Sequence, residues 1–297
     1  GLQQVTEIEG GISGFKYSPD GTKIFYIKSV KLDESINDMY PDLPKANARI
    51  ETDLMYRHWD KWHDYTYNHI FVADYSDGKV GEGKDIMEGE RYDSPMKHFG
   101  GTGQIAWSPD GKTLAYTCKK KTGKAYSVST NSDIYFYDME TGETINFTEE
   151  MMGYDKNPVF SPDGKYLTWE SMERDGYESD KNRLFVANLE TGEKTNYSEG
   201  FDQNAHNLSW SNKGQSIFFI SNIHATDEIF RLQLADGKIE RLTDGIHNYQ
   251  SVEQAGDQLV AQRVSMSHPA DLYSVNPESG EAQDLTSVND ELLGAIN

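Results

Sequence analysis

Short runs of alternating apolar and polar residues, each ending at a turn signal, recur along the whole chain. Residues 15–17 precede the turn sequence Ser18-Pro19-Asp20-Gly21, and the apolar run 24–27 follows it. Proline fixes φ, aspartate binds its own backbone and glycine takes positive φ, so this tetrapeptide predicts a tight turn. Apolar alternation on both sides of a tight turn predicts a hairpin of two antiparallel strands.

The hairpin recurs along the chain, and its turn becomes less regular in the later copies. The later turns are at 108–111, 161–164, 211–214 and 254–257. A second hairpin follows each first one, with turns at 76–78, 140–142, 190–192, 235–237 and 278–280. Each unit therefore has four antiparallel strands, with a period of about 45–55 residues where no insertion intervenes. This repeat predicts an all-β chain, a β-propeller of four-stranded antiparallel blades. A sandwich of short strands is the competing class, but sandwiches do not repeat their turn chemistry in this way.

Five blades are predicted in this chain, together with a strand that belongs to a preceding blade. The outer strand of that preceding blade is placed at 1–10. The five blades are placed at 11–89, 101–149, 155–199, 205–244 and 248–288. Five blades alone could close into a ring, but part of a larger ring is the more natural interpretation. Blades that do not close would leave sheet faces bare, so we also expect either tight closure or self-association, for example as a homodimer.

The connections between strands are uneven, and this indicates which face is functional. In a propeller, the a–b and c–d turns lie on one face, and the b–c and d–a connections lie on the other. The long connections here all belong to the second face: 29–68, 119–133 and 171–182 between strands b and c, and 87–103 and 149–157 between blades. Long ordered loops on one face usually mark the functional side, so we expect any partner there.

Composition narrows the range of partners. The 49 acidic residues outnumber the 28 basic ones, which gives a net charge of −21. Such a surface repels nucleic acid and anionic membranes, and it could attract peptide amino termini, although simple solubility is the favoured interpretation. No apolar stretch is long enough for a membrane span. The chain opens at Gly1 without a signal peptide, and we expect that a signal or an upstream segment has been removed.

Motifs for catalysis, metals and cofactors are absent from the sequence. Cys118 is the single cysteine, which excludes an internal disulfide and a paired-cysteine zinc site, and a buried inert thiol is expected there. No Gly-x-Ser-x-Gly, P-loop, dinucleotide-binding or His-Glu-x-x-His sequence occurs. A glycosidase would need paired acids on the innermost strands, where only Glu253 is found. We therefore predict no catalytic residue, no metal and no cofactor in this chain.

The longest insertion ends in an aromatic segment at 53–64. One hypothesis is a short amphipathic helix with an aromatic face. The favoured one is a loop that packs its own tryptophans into a small core. A metal site formed by His58 and His63 is disfavoured, because a spacing of five does not place two ligands well on one helical face.

Three insertion segments, 53–62, 84–90 and 171–180, resemble the propeller of the prolyl oligopeptidase family of serine peptidases. The resemblance covers essentially the whole chain and is nearest to the bacterial dipeptidyl-peptidase and acylaminoacyl-peptidase branch. It implies a periplasmic or secreted parent peptidase with a propeller of about seven blades. It also implies a C-terminal α/β-hydrolase domain, absent from this chain, that carries the catalytic serine, aspartate and histidine. The propeller of such an enzyme limits access to short or unfolded peptides and lends side chains to substrate binding.

Substrate-binding candidates follow from this resemblance by position alone. Dipeptidyl peptidases of the family hold the substrate's amino terminus with acidic propeller residues, which here implies Glu88 and Glu90, or Glu173 beside Arg174. An ion-pair network on the surface is the competing interpretation of these charges. Three aromatic residues could line a pocket or contact the hydrolase domain, or could simply pack: Tyr56, Trp59 and Trp62. A free-standing propeller that binds a protein or a glycan remains the alternative function.

Overall fold

The computed structural model describes residues 4–295, and it divides them into two compact units. Strands account for 41% of the residues and helices for 6%. Unit 1 contains the described residues up to Pro158 together with Glu173–Ser179. Unit 2 contains Val159–Met172 and the described residues from Asp180 onward.

Unit 1 contains two blade-like sheets and a small hairpin. The first sheet has the strands β1 (Gly14–Tyr17), β2 (Lys23–Lys31), β5 (Thr66–Ser76), β6 (Lys79–Val80) and β7 (Lys84–Asp85). The second has β8 (Ile105–Trp107), β9 (Thr113–Cys118), β10 (Asp133–Asp138) and β11 (Thr144–Asn146). The hairpin consists of β3 (Arg57–His58) and β4 (Lys61–Trp62), and the helices are α1 (Ile36–Met39) and α2 (Gly123–Val128), with a 3-10 turn at Thr102–Gln104.

Unit 2 continues the same pattern of consecutive antiparallel strands. Its first sheet has β12 (Asp155–Phe160), whose first residues belong to unit 1, then β13 (Tyr166–Ser171), β14 (Arg183–Asn188) and β15 (Lys194–Asn196). The next four strands are β16 (His206–Trp210), β17 (Ser216–Ile223), β18 (Thr226–Gln233) and β19 (Ile239–Arg241). The last four are β20 (Asn248–Ala255), β21 (Gln258–Val264), β22 (Asp271–Val275) and β23 (Ala282–Asp284), before helix α3 (Asp290–Gly294). A single parallel bridge between Asp227 and Asn248 joins the last two sets of four. The predicted all-β class with four-stranded antiparallel sheets is confirmed.

A serine hydroxyl closes the first hairpin of each of the first four sheets. The Ser161 Oγ accepts a hydrogen bond from the Tyr166 N–H at 2.9 Å and donates one to Asp163 at 2.7 Å. Ser18 and Ser108 make the same pair of bonds. In the fourth copy Asn212 takes the proline position and Lys213 the aspartate position, and only the first bond remains, from the Ser216 N–H at 3.0 Å. Glycine is required at the last position of these turns, because Gly164 has a φ of 71°.

A second hydroxyl, just after the fourth strand, anchors that strand to the third. The backbone N–H groups of Ile134, Leu184, Ile229 and Leu272 donate at 2.9 Å to Thr148, Ser198, Thr243 and Thr286, respectively. In two sheets the preceding asparagine joins this arrangement, since Asn146 accepts from the Thr148 N–H and Asn196 from the Ser198 N–H. The Asn-x-Ser/Thr sequences at these positions are therefore part of the blade fold.

The cores lie between neighbouring sheets within each unit. In unit 2, strand β17 is buried on both faces: Ile217 and Phe219 pack in one apolar cluster, and Phe218 and Ile220 pack in another. Successive side chains of a strand point to opposite faces, so a strand between two packed sheets needs a continuous apolar run. In unit 1 the equivalent cluster is centred on Phe25, Ile70 and Leu114.

The insertion between β2 and β5 differs from both hypotheses for its aromatic segment. The segment forms the hairpin β3–β4, and Trp59 and Trp62 are 73% and 51% exposed. Neither the helix nor the small tryptophan core was therefore correct. The physical reason is that Trp62 packs against the guanidinium of Arg49, at 5.2 Å from the ring centroid, and against the Tyr56 ring, rather than among aliphatic side chains.

The outer strand predicted at 1–10 lies partly outside the described residues. Residues 4–10 form no strand. A strand needs a hydrogen-bonded neighbour along its length. Here one backbone bond joins the segment to β6, from the Val80 N–H to the Val5 carbonyl at 3.4 Å.

Replacing Ser161 with alanine should lower the free energy of unfolding by about 1–2 kcal/mol, because the partly buried Tyr166 N–H loses its acceptor. Chemical denaturation of the purified chain measures this effect. The matched control is Ser279→Ala, since Ser279 accepts an exposed bond from the Glu281 N–H at 3.3 Å and should shift stability by less than about 0.5 kcal/mol. Equal effects of the two substitutions would show that the serine bond does not hold the hairpin.

Candidate functional site

A cavity of about 870 Å³ lies in unit 1, beside the longest connections of the first two sheets. Its walls come from the insertion between β2 and β5, from the 91–98 segment that follows the first sheet, and from residues 121–126 at the start of α2. All of these segments belong to b–c or d–a connections. The cavity therefore lies in the loops that were predicted to carry function.

Arg49 organises the insertion that forms most of the cavity wall. Its guanidinium lies 5.2 Å from the ring centroid of Trp62 and 4.6 Å from that of Tyr65. The same group donates hydrogen bonds to the carboxylate of Glu51, at 2.8 Å, and to the carbonyl of His63. A planar guanidinium can stack on rings and donate in its own plane at the same time, and a lysine cannot. The hairpin is thus held mainly by the guanidinium of Arg49 rather than by an apolar core.

Two cations from the 91–98 segment hold the base of the insertion. Arg91 donates to Asp33 at 2.7 Å, where the chain leaves β2. Lys97 donates to Asp64 at 3.1 Å and to the Thr66 carbonyl at 2.7 Å, where the chain enters β5. These pairs fix both ends of the insertion relative to the sheet.

Asp93 is the buried carboxylate of the cavity, with 8% of its surface exposed. It accepts a hydrogen bond from the Asn68 N–H at 2.7 Å, and Lys97 lies 3.8 Å away. Burial raises the pKa of Asp93 to about 6, although the Asn68 N–H and the charge of Lys97 act in the opposite direction. The charge of Asp93 is therefore only partly compensated by its surroundings. A buried charge in such a position favours an additional cation.

The residues predicted for substrate binding are only partly brought together. Tyr56 and Trp62 line the cavity and stack on each other, with their ring centroids 5.8 Å apart. The residues outside the cavity lining are Trp59, Glu88, Glu90, Glu173 and Arg174.

The charged candidates have local roles. Glu90 forms an ion pair with Lys120 at 2.7 Å, and Glu88 is exposed. The guanidinium of Arg174 lies 4.1 Å from the ring centroid of Tyr177. In the same loop, Asp175 accepts hydrogen bonds from the Ser129 hydroxyl and the Thr130 N–H, both at 2.7 Å, which anchors the loop within unit 1.

His69 connects the first sheet to the segment that leads into the cavity. Its Nδ1 lies 2.7 Å from Asp85 and its Nε2 lies 2.8 Å from the Glu90 carbonyl. Both partners accept, so both ring nitrogens must donate, as they do in the imidazolium form. Burial lowers the pKa of His69, but the hydrogen bond and the charge of Asp85 outweigh this and raise it above the usual value.

Sequence reasoning missed Arg49, Arg91, Asp93 and Lys97. None of them belongs to a motif, and the only signal was their position in long connections. Elsewhere in the chain, the Cys118 thiol is fully buried, as predicted, and burial raises its pKa. Within residues 4–295, no group of three His, Cys, Asp or Glu side chains is placed to hold a metal ion. None of the described helices combines the length and the apolar character that a membrane span requires.

Comparison with known proteins agrees with this fold. The TolB beta propeller domain (PD40) matches residues 104–292, which is more than half of the chain. The chain therefore belongs to the family of TolB-type propeller domains.

Two solved structures share the fold. The acylaminoacyl peptidase of Pyrococcus horikoshii has a TM-score of 0.70 and 14% identity, covering 98% of this chain and 41% of that one. The β-propeller domain of the Trilobed protease from Pyrococcus furiosus has a TM-score of 0.58 and 14% identity, covering 94% of this chain and 68% of that one.

A curated relative is similar in sequence as well. The dipeptidyl-peptidase 5 of Porphyromonas gingivalis is 48% identical over 97% of this chain, and the matched region is 42% of that protein. The chain thus spans less than half the length of this relative. The chain is thus similar in sequence to part of a dipeptidyl-peptidase 5, and its fold is similar to part of an acylaminoacyl peptidase.

Stability should fall as the pH rises through the folded-state pKa of His69. That pKa lies above the usual 6.5, so the contribution of His69 is complete below about 6.5 and is lost as the imidazolium deprotonates. The histidines with lowered pKa values, His63, His98 and His247, lose their stabilising contribution only as the pH falls below about 6.5. Unfolding midpoints measured between about pH 6.5 and 7.5 separate His69 from these histidines and from Lys119, whose pKa is lowered to about 8 by burial.

Asp85→Asn provides the matched variant for this measurement, because the amide keeps an oxygen acceptor and removes the charge. We expect a flatter pH profile in the variant above about pH 6.5. Identical slopes in the two proteins would contradict an imidazolium at His69.

Proposed function

We propose that this chain is the propeller part of a serine exopeptidase that removes dipeptides or acylated residues from peptide amino termini. The observation that carries the proposal is the 48% identity with a dipeptidyl-peptidase 5 over nearly the whole chain. That relative is more than twice as long as the matched region. A parent of similar length would have room for a C-terminal α/β-hydrolase domain with the catalytic serine, aspartate and histidine. In this proposal, the propeller restricts access to that active site and acts in a periplasmic or secreted enzyme.

The cavity of unit 1 is the proposed binding place for the peptide's amino-terminal end. Its volume of about 870 Å³ falls in the range of about 300–1,000 Å³ that is typical of small-ligand sites. Its walls combine the Tyr56 and Trp62 rings with charged groups that are mostly paired with each other. Paired charges limit nonspecific attraction, so a ligand with a positive charge is attracted mainly to the partly compensated carboxylate.

Asp93 is the proposed anchor for the substrate's ammonium group. A carboxylate and an ammonium form a charge-assisted hydrogen bond, which is stronger than a neutral one and is strengthened further by burial. Asp93 ionises above a pKa of about 6, and a peptide α-ammonium deprotonates near about 8. Binding should therefore be best between these two values. Glu90 is a weaker candidate, since Lys120 already occupies its carboxylate.

Hydrolysis assays of the natural gene product test this proposal. We expect activity on dipeptidyl or acylaminoacyl fluorogenic substrates. For dipeptidyl substrates with a free amino terminus, Asp93→Asn should raise KM about 10-fold to 100-fold, because a charge-assisted bond contributes about 1.5–3 kcal/mol. The asparagine oxygen still accepts from the Asn68 N–H, which preserves the local fold. Amino-terminally acetylated versions of the same substrates should show no dependence on residue 93.

The control is Asp236→Asn, in the turn between β18 and β19, which should leave KM unchanged. Glu88→Gln and Glu90→Gln distinguish Asp93 from the candidates that the family resemblance implies. A large KM increase in either of these, with none in Asp93→Asn, would move the anchor out of the cavity. A gene product that ends near Asn297 and hydrolyses no peptide would favour the alternative, a free-standing propeller that binds a protein or glycan, as the TolB-type family assignment permits.

A further inference from the structure

Two of the most exposed aromatic side chains in unit 1 lie against each other. Trp59 is 73% exposed and Phe99 is 75% exposed. Their ring centroids are 5.4 Å apart, with an interplanar angle of 57°. The two rings come from different segments, the β3–β4 turn and the loop after the 91–98 segment. Large apolar rings that remain in water beside each other are typical of a binding surface.

The backbone at Trp59 adds an independent observation. Residues 59 and 60 form a two-residue turn, since Arg57 pairs with Trp62 and His58 pairs with Lys61. Trp59 has a φ of 48°, in the left-handed region where such turns usually carry asparagine or glycine. A tryptophan in this position is strained, and strained residues cluster at functional sites. The strain is not offset by burial of the ring.

The pair lies at the rim of the cavity. His58 packs against both rings, with centroid distances of 5.1 Å to Trp59 and 6.0 Å to Phe99. His58 also packs against His98, with ring centroids 4.6 Å apart, and both histidines line the cavity. A ligand that extends out of the cavity past these histidines would therefore reach the Trp59–Phe99 pair.

The size of the pair indicates what kind of ligand it fits. Two aromatic side chains can bury about 300–500 Å² together. A stable protein interface buries about 800 Å² on each partner, so the pair is too small for a folded partner and fits one side chain. We propose that Trp59 and Phe99 form an exosite for an aromatic side chain of the peptide whose amino terminus occupies the cavity. This inference rests on the proposed function and adds a sequence preference to it.

Peptide binding to the full chain tests the exosite. The probes are six-residue peptides with a free amino terminus and a carboxyl-terminal dye, in matched pairs that carry Phe or Ala at one position from the third to the sixth. Fluorescence anisotropy gives the Kd of each pair. At one position, the Phe peptide should bind the unmodified protein about fivefold or more tightly than the Ala peptide, as expected for an aromatic pair with its buried area.

Two variants should remove this preference. Trp59→Asn suits the left-handed turn position and keeps the hairpin, and Phe99→Ala removes the second ring. In each variant the Phe and Ala peptides should bind equally, at the affinity that the Ala peptide has for the unmodified protein. The control is Phe15→Ala, which removes a ring that is 50% exposed and does not line the cavity; it should keep the preference.

Each other outcome overturns a defined part of the inference. Equal binding of Phe and Ala peptides to the unmodified protein overturns the exosite and leaves the cavity proposal intact. If neither peptide binds, both the exosite and the proposed binding of the peptide in the cavity are overturned. A shift from dimer to monomer in sedimentation of the Trp59→Asn variant would show that the pair is a contact between copies of this chain, and the exosite would again be overturned.

Discussion

The serine hydroxyl that closes the first hairpin is the interaction on which the repeated fold depends. It accepts a hydrogen bond from the backbone N–H five residues later. The turn can therefore be short, and it needs no contact with other parts of the chain to satisfy that N–H. The first four a–b turns can then stay short and alike. The opposite ends of the strands are under no such constraint, and every long connection is found there. The division between uniform turns and variable connections thus begins with one hydrogen bond in each of the first four hairpins.

The variable loops are stabilised in a different way from the sheets. The sheets bury continuous apolar runs such as that of β17, whereas the insertion is held by cations: Arg49 inside it, and Arg91 and Lys97 at its base. Partly exposed ion pairs contribute little each. Stacking on Trp62 and Tyr65 lets one guanidinium combine several such contacts. A loop that is held by ion pairs and stacking can enclose a polar cavity. A loop that is held by an apolar core would fill the same space with side chains.

The repeat and the insertions differ in how far sequence could predict them. The Ser-Pro-Asp-Gly turns recur, so each copy supported the others, and the strands followed from local chemistry. The insertion occurs once, and its decisive contacts join residues far apart in sequence, such as Arg91 and Asp33 or Lys97 and Asp64. No local pattern indicates such pairs. The aromatic segment was for this reason expected to bury its own tryptophans, although Arg49 already provided the stacking partner. Asp93 could be identified as a candidate binding residue only from its burial in the structure.

The ionisation of Asp93 and the ionisation of His69 are linked through charge, and this connects the fold to the proposed site. The charge of His69 lowers the pKa of Asp93, and the charge of Asp93 raises that of His69. A protonated His69 therefore helps to keep Asp93 ionised in a buried place. A substrate ammonium beside Asp93 would compensate the negative charge of that carboxylate. It would thereby weaken the effect by which Asp93 raises the pKa of His69. Ligand binding should then lower the pKa of His69, by the reciprocity that governs any two sites coupled through charge. Asp85 limits the size of this effect, since its direct hydrogen bond holds the imidazolium whether or not the cavity is occupied.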